Sequence, residues 1–300
     1  MTILVRLANL TIQRWSLGDR WDALHSPVRE GGDWGLTFPS EPYCQVFDRA
    51  FPNLPKNPWK VTAKSCATYF RGVSDDDLAS VRLFVEALRP CVIIKDLTVG
   101  SVALGYRARK SGSGDLERTE IGQLMRDAKP YTGPATESHR RAGTELANRM
   151  CEFVSSMPFY RDVDGSVAVP SSDPTKAFSL PRGFAHALAK HTGKVDLSAA
   201  LTKLTATQEL KNLAREKKLE ALASSIAVDE TQVTGKSIVV VDDLYQSGIT
   251  INFVAETLRR AGAKDVFGLA AVKTLRDDDN LPKTPASPQT DDDLSDEDLF

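Results

Sequence analysis

The sequence lacks the features that mark most secreted, membrane-embedded and zinc-stabilised proteins. Its four cysteines are far apart and form no C-x-x-C pair, which argues against a zinc ribbon. No apolar run reaches the roughly 18 residues that a membrane span needs, and the N-terminal segment lacks the basic flank and long apolar stretch of a signal peptide. The four histidines show no metal-ligand spacing. We therefore expect a cytoplasmic protein with free thiols and no membrane partner.

Acidic residues are concentrated at the carboxyl end. The 300-residue chain has a net charge of −2, but its last 25 residues, 276–300, hold nine acidic and two basic side chains, so the remainder is mildly basic. Because Pro, Ser and Asp dominate this tail, we expect it to be disordered. Its apolar end, Leu299-Phe300, resembles the acidic, Phe-ended tips of bacterial single-stranded DNA-binding proteins, which implies docking to a protein partner through Phe300. The alternative is a solvating tail without a partner.

Residues 1–115 have the least regular pattern. All four tryptophans lie in the first 60 residues, among Gly and Pro residues that favour turns and short strands over long helices. Apolar residues then recur at helical spacing over 75–88, and the segments 92–95 and 99–106 have the composition of strands. We predict an accessory or hood region of mixed α+β structure, without assigning its fold.

Residues 116–275 alternate between strand-like and helix-like segments. We predict helices at 144–154 (capped by Thr144), 184–190, 208–225 and 250–260, and strands at 166–169, 197–201, 237–241 and 266–272. Strands that alternate with helices predict an α/β domain, with a parallel sheet, right-handed crossovers and helices on its faces.

The clearest chemical signal runs from Val239 to Thr250, with the sequence VVVDDLYQSGIT. The apolar run predicts a buried strand that delivers Asp242 and Asp243 to its carboxyl end, where open α/β sheets bind ligands. Adjacent carboxylates at that place can bracket a ribose diol and a nearby Mg²⁺. Gly248 lets the backbone close around a phosphate, and the N–H groups of the helix that follows favour an anion.

This stretch has two alternative interpretations. A Walker loop is excluded, because no Gly-Lys-Ser/Thr follows. A surface Asp-Asp followed by a turn and a helix cap is the plain structural alternative. The order of strand, acid pair, loop and helix argues against it.

The stretch resembles the phosphoribosyl pyrophosphate (PRPP) signature of type I phosphoribosyltransferases, which has four apolar residues, two acids, a short spacer and Ser/Thr-Gly-x-Thr/Ser. The order of the other motifs is similar to that in ComF-type competence proteins, over roughly residues 118–275: VAVP at 167–170, RGF at 182–184, and Lys203 with Thr205 and Gln208. The chain departs from that family in lacking paired N-terminal cysteines and in placing Ala185 after Arg-Gly-Phe. Gln246 stands where many relatives have threonine.

The resemblance implies a type I phosphoribosyltransferase fold for residues 116–275 and assigns roles within it. Asp242 and Asp243 would be catalytic and would hold Mg²⁺. The implied PRPP-binding residues are Leu244, Tyr245, Gln246, Ser247, Gly248, Ile249 and Thr250, with Ser171, Ser172, Asp173 and Arg182 on the pyrophosphate side. The implied mobile loop contains Lys203, Thr205, Gln208, Lys211 and Arg215, and its alternative is an ordinary charged amphipathic helix.

These assignments lead to two hypotheses about function. The first is a Mg²⁺-dependent phosphoribosyltransferase that transfers ribose 5-phosphate from PRPP to an unidentified base or amine. The second is a module that senses PRPP or a nucleotide without turnover, in DNA uptake, repair or defence, because fold alone does not decide activity. A further hypothesis is that the protein forms a homodimer.

Overall fold

The centre of the fold is a large, mostly parallel sheet covered by helices. A computed structural model describes residues 7, 10, 12–16, 33–38, 41–62, 65–130, 134–171, 179–204, 217, 220–222 and 225–275. Its strands are β1 (Gln13–Ser16), β2 (Trp34–Phe38), β3 (Lys60–Val61), β4 (Cys66–Phe70), β5 (Val92–Lys95), β6 (Ser101–Ala103), β7 (Ala108–Lys110), β8 (Leu116–Arg118), β9 (Gly165–Ala168), β10 (Val195–Asp196), β11 (Leu201–Lys203), β12 (Ile226–Val228), β13 (Ser237–Tyr245) and β14 (Asp265–Lys273). Its helices are α1 (Glu41–Ala50), α2 (Asp75–Leu88), α3 (Glu120–Asp127), α4 (Glu137–Ser156), α5 (Leu180–Thr192), α6 (Glu230–Val233) and α7 (Ile249–Arg260).

The seven strands of the main sheet lie in the order β1-β5-β6-β14-β13-β9-β10. Neighbouring strands from β6 to β10 pair in parallel, whereas β5 is antiparallel to both β1 and β6. Three smaller units are the sheet β2-β4-β3, the hairpin β7-β8 and the antiparallel pair β11-β12. The predicted α/β class with a parallel sheet flanked by helices is therefore confirmed.

The core lies on both faces of the main sheet. Along β13, Val239 and Val241 belong to one buried cluster, and Ile238 and Val240 belong to the other. This alternation follows from the two-residue period of a strand. Because both faces are covered, β13 has an unbroken apolar run, as expected for a central parallel strand.

Most of the elements predicted from the sequence are present. The helix predicted at 75–88 and the strand at 92–95 are confirmed with the same bounds, and the predicted elements at 166–169, 184–190, 237–241, 250–260 and 266–272 correspond to β9, α5, β13, α7 and β14. The strand predicted at 99–106 is reduced to Ser101–Ala103. Most of the helix predicted at 208–225 lies outside the described residues.

The helix predicted at 144–154 is present but starts earlier than predicted, and the strand predicted at 197–201 is wrong. Helix α4 begins at Glu137, where the backbone N–H of Thr136 donates to Nδ1 of His139 at 3.0 Å, so Thr144 lies inside the helix and donates to the carbonyl of Arg140. The strand predicted at 197–201 is interrupted by a 3₁₀ helix, Ser198–Ala200. There the carboxylate of Asp196 accepts from the N–H of Ser198 at 3.0 Å, because short polar side chains compete with strand pairing.

The main sheet crosses the predicted boundary between residues 115 and 116. Strands β1, β5 and β6 come from the predicted accessory region and pair alongside β14. The N-terminal part therefore supplies one side of the same sheet. All four cysteines are free and buried, and no helix in the described part of the chain is long and apolar enough to span a membrane.

Candidate functional site

The acid pair lies near the carboxyl end of the central strand. Strand β13 is held between β9 and β14, with Asp242 opposite Ala270 and Leu244 opposite Val272. The strand continues through both acids to Tyr245, so parallel pairing on one side fixes the backbone beneath them. The N–H of Asp243 donates to Oδ1 of Asp242 at 2.8 Å. The backbone that carries the two carboxylates is therefore held in place.

The surroundings of the pair favour one negative charge over two. Nζ of Lys129 lies 2.9 Å from Oδ2 of Asp243, whose side chain is 18% exposed. Burial first, and the charge of Asp243 second, raise the pKa of Asp242 well above its ordinary value, against smaller lowering effects of backbone N–H groups and Lys129. A carboxylate with a raised pKa is stabilised by any cation that joins it.

A divalent cation fits this pair chemically. Hard cations prefer carboxylate oxygens, and Mg²⁺ is usually held by one or two carboxylates together with water and substrate phosphates. The described residues contain no group of three or more His, Cys, Asp or Glu side chains that could hold a metal. Asp242 and Asp243 would therefore hold Mg²⁺ only together with oxygen ligands of a bound substrate and water.

The raised pKa predicts an unusual pH dependence of stability. Unfolded Asp242 loses its proton near pH 4, whereas folded Asp242 keeps it to higher pH. Between these two values the folded state binds more protons, so the free energy of unfolding should fall as the pH rises. One proton accounts for at most about 1.4 kcal/mol per pH unit. Denaturant unfolding of the ligand-free protein from pH 5 to 8 would measure this slope.

Asp242→Asn should flatten that pH profile, because it removes the titrating group. Asp76→Asn is the matched control, since Asp76 is an exposed acid in the first turn of α2. Parallel profiles for the wild type and Asp242→Asn would show that Asp242 does not titrate in this range.

A cavity of about 1000 Å³ opens beside the acids. Its wall includes Asp242, Asp243, Lys129, Pro170 and Ser171. The start of α5 and one side of α4 complete it, with Ser179, Gly183, Thr144 and Asn148. Ser179 caps α5, and its Oγ accepts from the N–H of Arg182 at 3.4 Å. The cavity therefore combines acids able to hold a cation with a helix start that favours an anion.

A second cavity, of about 330 Å³, lies on the other side of Ser171. It brings together Ser171, Arg182 and Lys203, three residues that the sequence assigned to PRPP binding or to the mobile loop. Nζ of Lys203 donates to Oγ of the buried Ser225 at 3.0 Å. Burial lowers the pKa of Lys203 to about 8, and a bound anion would raise that pKa again by stabilising the charged ammonium. The two cavities share Val169, Pro170, Ser171 and Ser179.

The turn after β13 is fixed by close contacts. Gly248 has a φ of +70°, and a Cβ built on it would lie 2.3 Å from Oη of Tyr245 and 2.6 Å from Cδ1 of Ile12. The position therefore needs glycine both for its conformation and for space. Nζ of the fully buried Lys273 donates to the carbonyl of Gln246 at 3.1 Å.

The residues of this turn differ in what they offer a ligand. Gln246, Ser247 and Thr250 are half-buried at the surface. Tyr245 and Ile249 are buried in the core, so they can offer a ligand their backbone groups but not their side chains. Leu244 is partly buried and packs against the buried cluster that contains Val239 and Val241.

Several residues that shape the site were missed as site residues in the sequence. Lys129 pairs with Asp243, and Asp96, Asn252 and Lys273 surround the turn. Two of them carried a usable signal, because Asn252 and Lys273 are polar residues at buried positions of an apolar helix face and an apolar strand. The sequence around Asp96 gives no such signal, since the nearest partner of Asp96 in the site, Tyr245, lies 149 positions away.

Part of the predicted site lies outside the described residues. These positions are Ser172, Asp173, Thr205, Gln208, Lys211 and Arg215, together with the acidic tail 276–300.

Comparisons with known proteins agree with this geometry. The fold and site define an α/β protein whose acid pair and glycine turn lie at the carboxyl end of a parallel sheet. The family model of the phosphoribosyl transferase domain matches residues 184–286, roughly a third of the chain. This part of the chain is therefore similar to a phosphoribosyl transferase domain. This match begins after β9 and includes the acid pair, β14 and the turn.

Solved structures give weaker similarity, and no curated protein matches the sequence. A structure of an allosteric regulatory enzyme of purine biosynthesis is 14% identical, with a TM-score of 0.36, over 80% of this chain and 45% of that one. Glutamine PRPP amidotransferase from B. subtilis, in complex with ADP and GMP, is 13% identical, with a TM-score of 0.35, over 80% and 46%. The chain thus spans less than half the length of either.

Proposed function

We propose that this protein binds Mg-PRPP and transfers its ribose 5-phosphate to a nitrogenous acceptor. The observation that carries the proposal is the partly buried acid pair, Asp242 and Asp243, which lines a large cavity and precedes the glycine turn 246–250 in the chain. The match to the phosphoribosyl transferase domain over the same residues supports it. The order of motifs around Lys203 supports placing the chain near the ComF-type branch.

Each part of PRPP has a matching part of the site. The turn 246–250 would hold the 5-phosphate through backbone N–H groups and the hydroxyls of Ser247 and Thr250. The acid pair would hold the ribose hydroxyls and Mg²⁺. Ser171, Arg182 and Lys203 surround the second cavity, which suits the pyrophosphate, because a half-buried lysine and an exposed arginine would offset its charge. Ser172 and Asp173 are proposed to join them.

The reaction needs positioning more than proton transfer. The bond between the anomeric carbon and pyrophosphate breaks, the pyrophosphate leaves with the bonding electron pair, and an acceptor nitrogen attacks from the opposite face. Mg²⁺ would offset the charge on the leaving pyrophosphate. The residues of this chain hold the two ends of the substrate in fixed geometry and exclude water. We propose that the segment with Thr205, Gln208, Lys211 and Arg215 closes over the bound substrate.

The cavity of about 1000 Å³ is large enough for an acceptor beside the ribose. It combines the apolar side chains of Leu180 and Pro181 with the polar side chains of Thr144 and Asn148. This mixture suits a flat nitrogenous base or a small amine. The tail ending in Phe300 and a homodimer are further proposals for partners, and they rest on the sequence alone.

The proposal is tested by incubating the protein with PRPP, Mg²⁺ and a panel of bases and amines, with pyrophosphate release as the readout. We expect release that depends on both Mg²⁺ and one class of acceptor. Calorimetric binding of Mg-PRPP without release in any acceptor mixture would favour the sensing module instead. Absence of binding would overturn both functions.

A further inference from the structure

We propose that Asp96, Tyr245 and Asn252 are positioning residues that hold the turn 246–250 in its phosphate-binding conformation. The inference rests on the proposed function, since it concerns the same turn. Through Asp96, it gives the N-terminal part of the chain a role in the PRPP site. Apart from Lys129, all other residues proposed for that site follow Pro170 in the sequence. None of the three side chains needs to touch the phosphate.

Asp96 forms the outer end of the network. It follows β5, and its Oδ2 accepts hydrogen bonds from Oη of Tyr245 at 2.8 Å and from Oγ of Ser101 at 2.7 Å. Its Oδ1 accepts from the backbone N–H of Thr98 at 2.8 Å and from Oγ1 of Thr98 at 2.6 Å. With a longer hydrogen bond from Nδ2 of Asn252 to Oδ2 at 3.5 Å, five donors hold this carboxylate in one orientation.

Asn252 forms the inner end. It lies in the first turns of α7 and is fully buried. Its Oδ1 accepts from the N–H of Leu97 at 2.7 Å, and its Nδ2 donates to the carbonyl of Gly248 at 2.7 Å and to Oη of Tyr245 at 3.2 Å. A single amide therefore joins the loop after β5 to the turn.

This contact fixes one peptide plane of the turn. The carbonyl of Gly248 accepts both Nδ2 of Asn252 at 2.7 Å and the backbone N–H of Asn252 at 3.0 Å. In a trans peptide the N–H points opposite to the carbonyl, so the N–H of Ile249 is directed away from Asn252. It is one of the first N–H groups of α7, which have no acceptor within the helix. The network thus sets the direction of a donor suited to an anion.

Tyr245 supports the same turn from below. A Cβ at Gly248 would lie 2.3 Å from its hydroxyl and 2.5 Å from its Cζ, so the backbone of the turn rests directly on the phenol. Both Tyr245 and Asn252 are buried, and a buried polar group that loses its partner is costly. We expect the turn to move when the network is broken.

The test compares two ligands that occupy opposite ends of the proposed site. Ribose 5-phosphate would use the turn, whereas Mg-pyrophosphate would not. Tyr245→Phe removes only the hydroxyl, and Asn252→Asp replaces the donor to Gly248 by an oxygen. We expect Tyr245→Phe to weaken ribose 5-phosphate several-fold, and Asn252→Asp to weaken it by about tenfold or more. Calorimetric affinity for Mg-pyrophosphate should change less than about twofold for either variant.

Tyr160→Phe is the matched control. The hydroxyl of Tyr160 is also buried and donates to the carbonyl of Gly268 at 3.0 Å, but it lies outside the turn. This variant should leave both affinities unchanged. Equal weakening of the two ligands in Tyr245→Phe, or an equal effect of Tyr160→Phe, would overturn the positioning role. If Asn252→Asp fails to fold, Tyr245→Phe decides alone. A wild type that binds neither ligand would overturn the proposed function itself.

Discussion

Replacing Asp242 and Asp243 together by asparagine should abolish the binding of Mg-PRPP and leave the protein folded. Each carboxylate offers hydrogen bonds to a charged or polar ligand, and such bonds are worth about 1.5–3 kcal/mol each. Losing two of them, together with the cation, should weaken binding by at least about 100-fold. Calorimetric titration with PRPP and Mg²⁺ would measure the loss.

The fold should survive this double replacement. Asparagine has nearly the shape of aspartate, and removing charge from Asp242 relieves the cost of its burial, which raises its pKa. The ion pair between Asp243 and Lys129 is partly exposed, so its loss should cost little. Circular dichroism and denaturant unfolding would verify that the variant is folded.

The adjacent acids Asp75 and Asp76 provide a matched control. Both are exposed at the start of α2, away from the cavity. Asp75→Asn with Asp76→Asn changes the same charge in the same local sequence pattern, and it should leave the affinity for Mg-PRPP unaltered. An unchanged affinity in the double variant of Asp242 and Asp243 would place the site elsewhere.

The local parts of the site were predictable from sequence, because strand, acid pair, turn and helix follow each other without a gap. The apolar run of β13 marks a strand buried on both faces, and Gly248 marks a turn with a positive φ. These features depend on neighbours within a few residues. The α/β class followed in the same way from the alternation of strands and helices.

The parts that depend on distant contacts were not predictable. The hydroxyl of Tyr245 donates a hydrogen bond to Asp96 across 149 positions, and Lys129 forms an ion pair with Asp243, which is far from it in the sequence. Nothing in the sequence near Val92–Lys95 indicates that this strand joins the main sheet through β6, because strand pairing depends on the three-dimensional fold. The start of α4 was misplaced for a more local reason, since Thr136 and Thr144 are both acceptable caps and only the capping contact with His139 distinguishes them.

Gly248→Ala should destabilise the protein strongly, because the added methyl group meets both a conformational and a steric penalty. Alanine at a φ of +70° costs about 1–2 kcal/mol in the left-handed region. The new Cβ would also lie 2.3 Å from Oη of Tyr245 and 2.6 Å from Cδ1 of Ile12, and relieving such overlap in a packed region typically costs a further ~1–3 kcal/mol. We expect the free energy of unfolding to fall by about 2–5 kcal/mol.

Gly193→Ala separates the two causes. Gly193 has a φ of +67° at the end of α5, and a Cβ there would meet nothing within 4 Å. The free energy of unfolding of Gly193→Ala should therefore fall only by the cost of the left-handed backbone conformation, about 1–2 kcal/mol. This variant should keep full affinity for ribose 5-phosphate. Gly248→Ala should lose that affinity as well, because the overlap can be relieved only by moving the turn or the phenol beneath it. Denaturant unfolding and calorimetry on both variants would measure these differences. If both variants lose the same free energy of unfolding and bind ribose 5-phosphate equally well, the turn adjusts freely to the added methyl group. In that case the contact between the turn and Tyr245 does not define the proposed phosphate site.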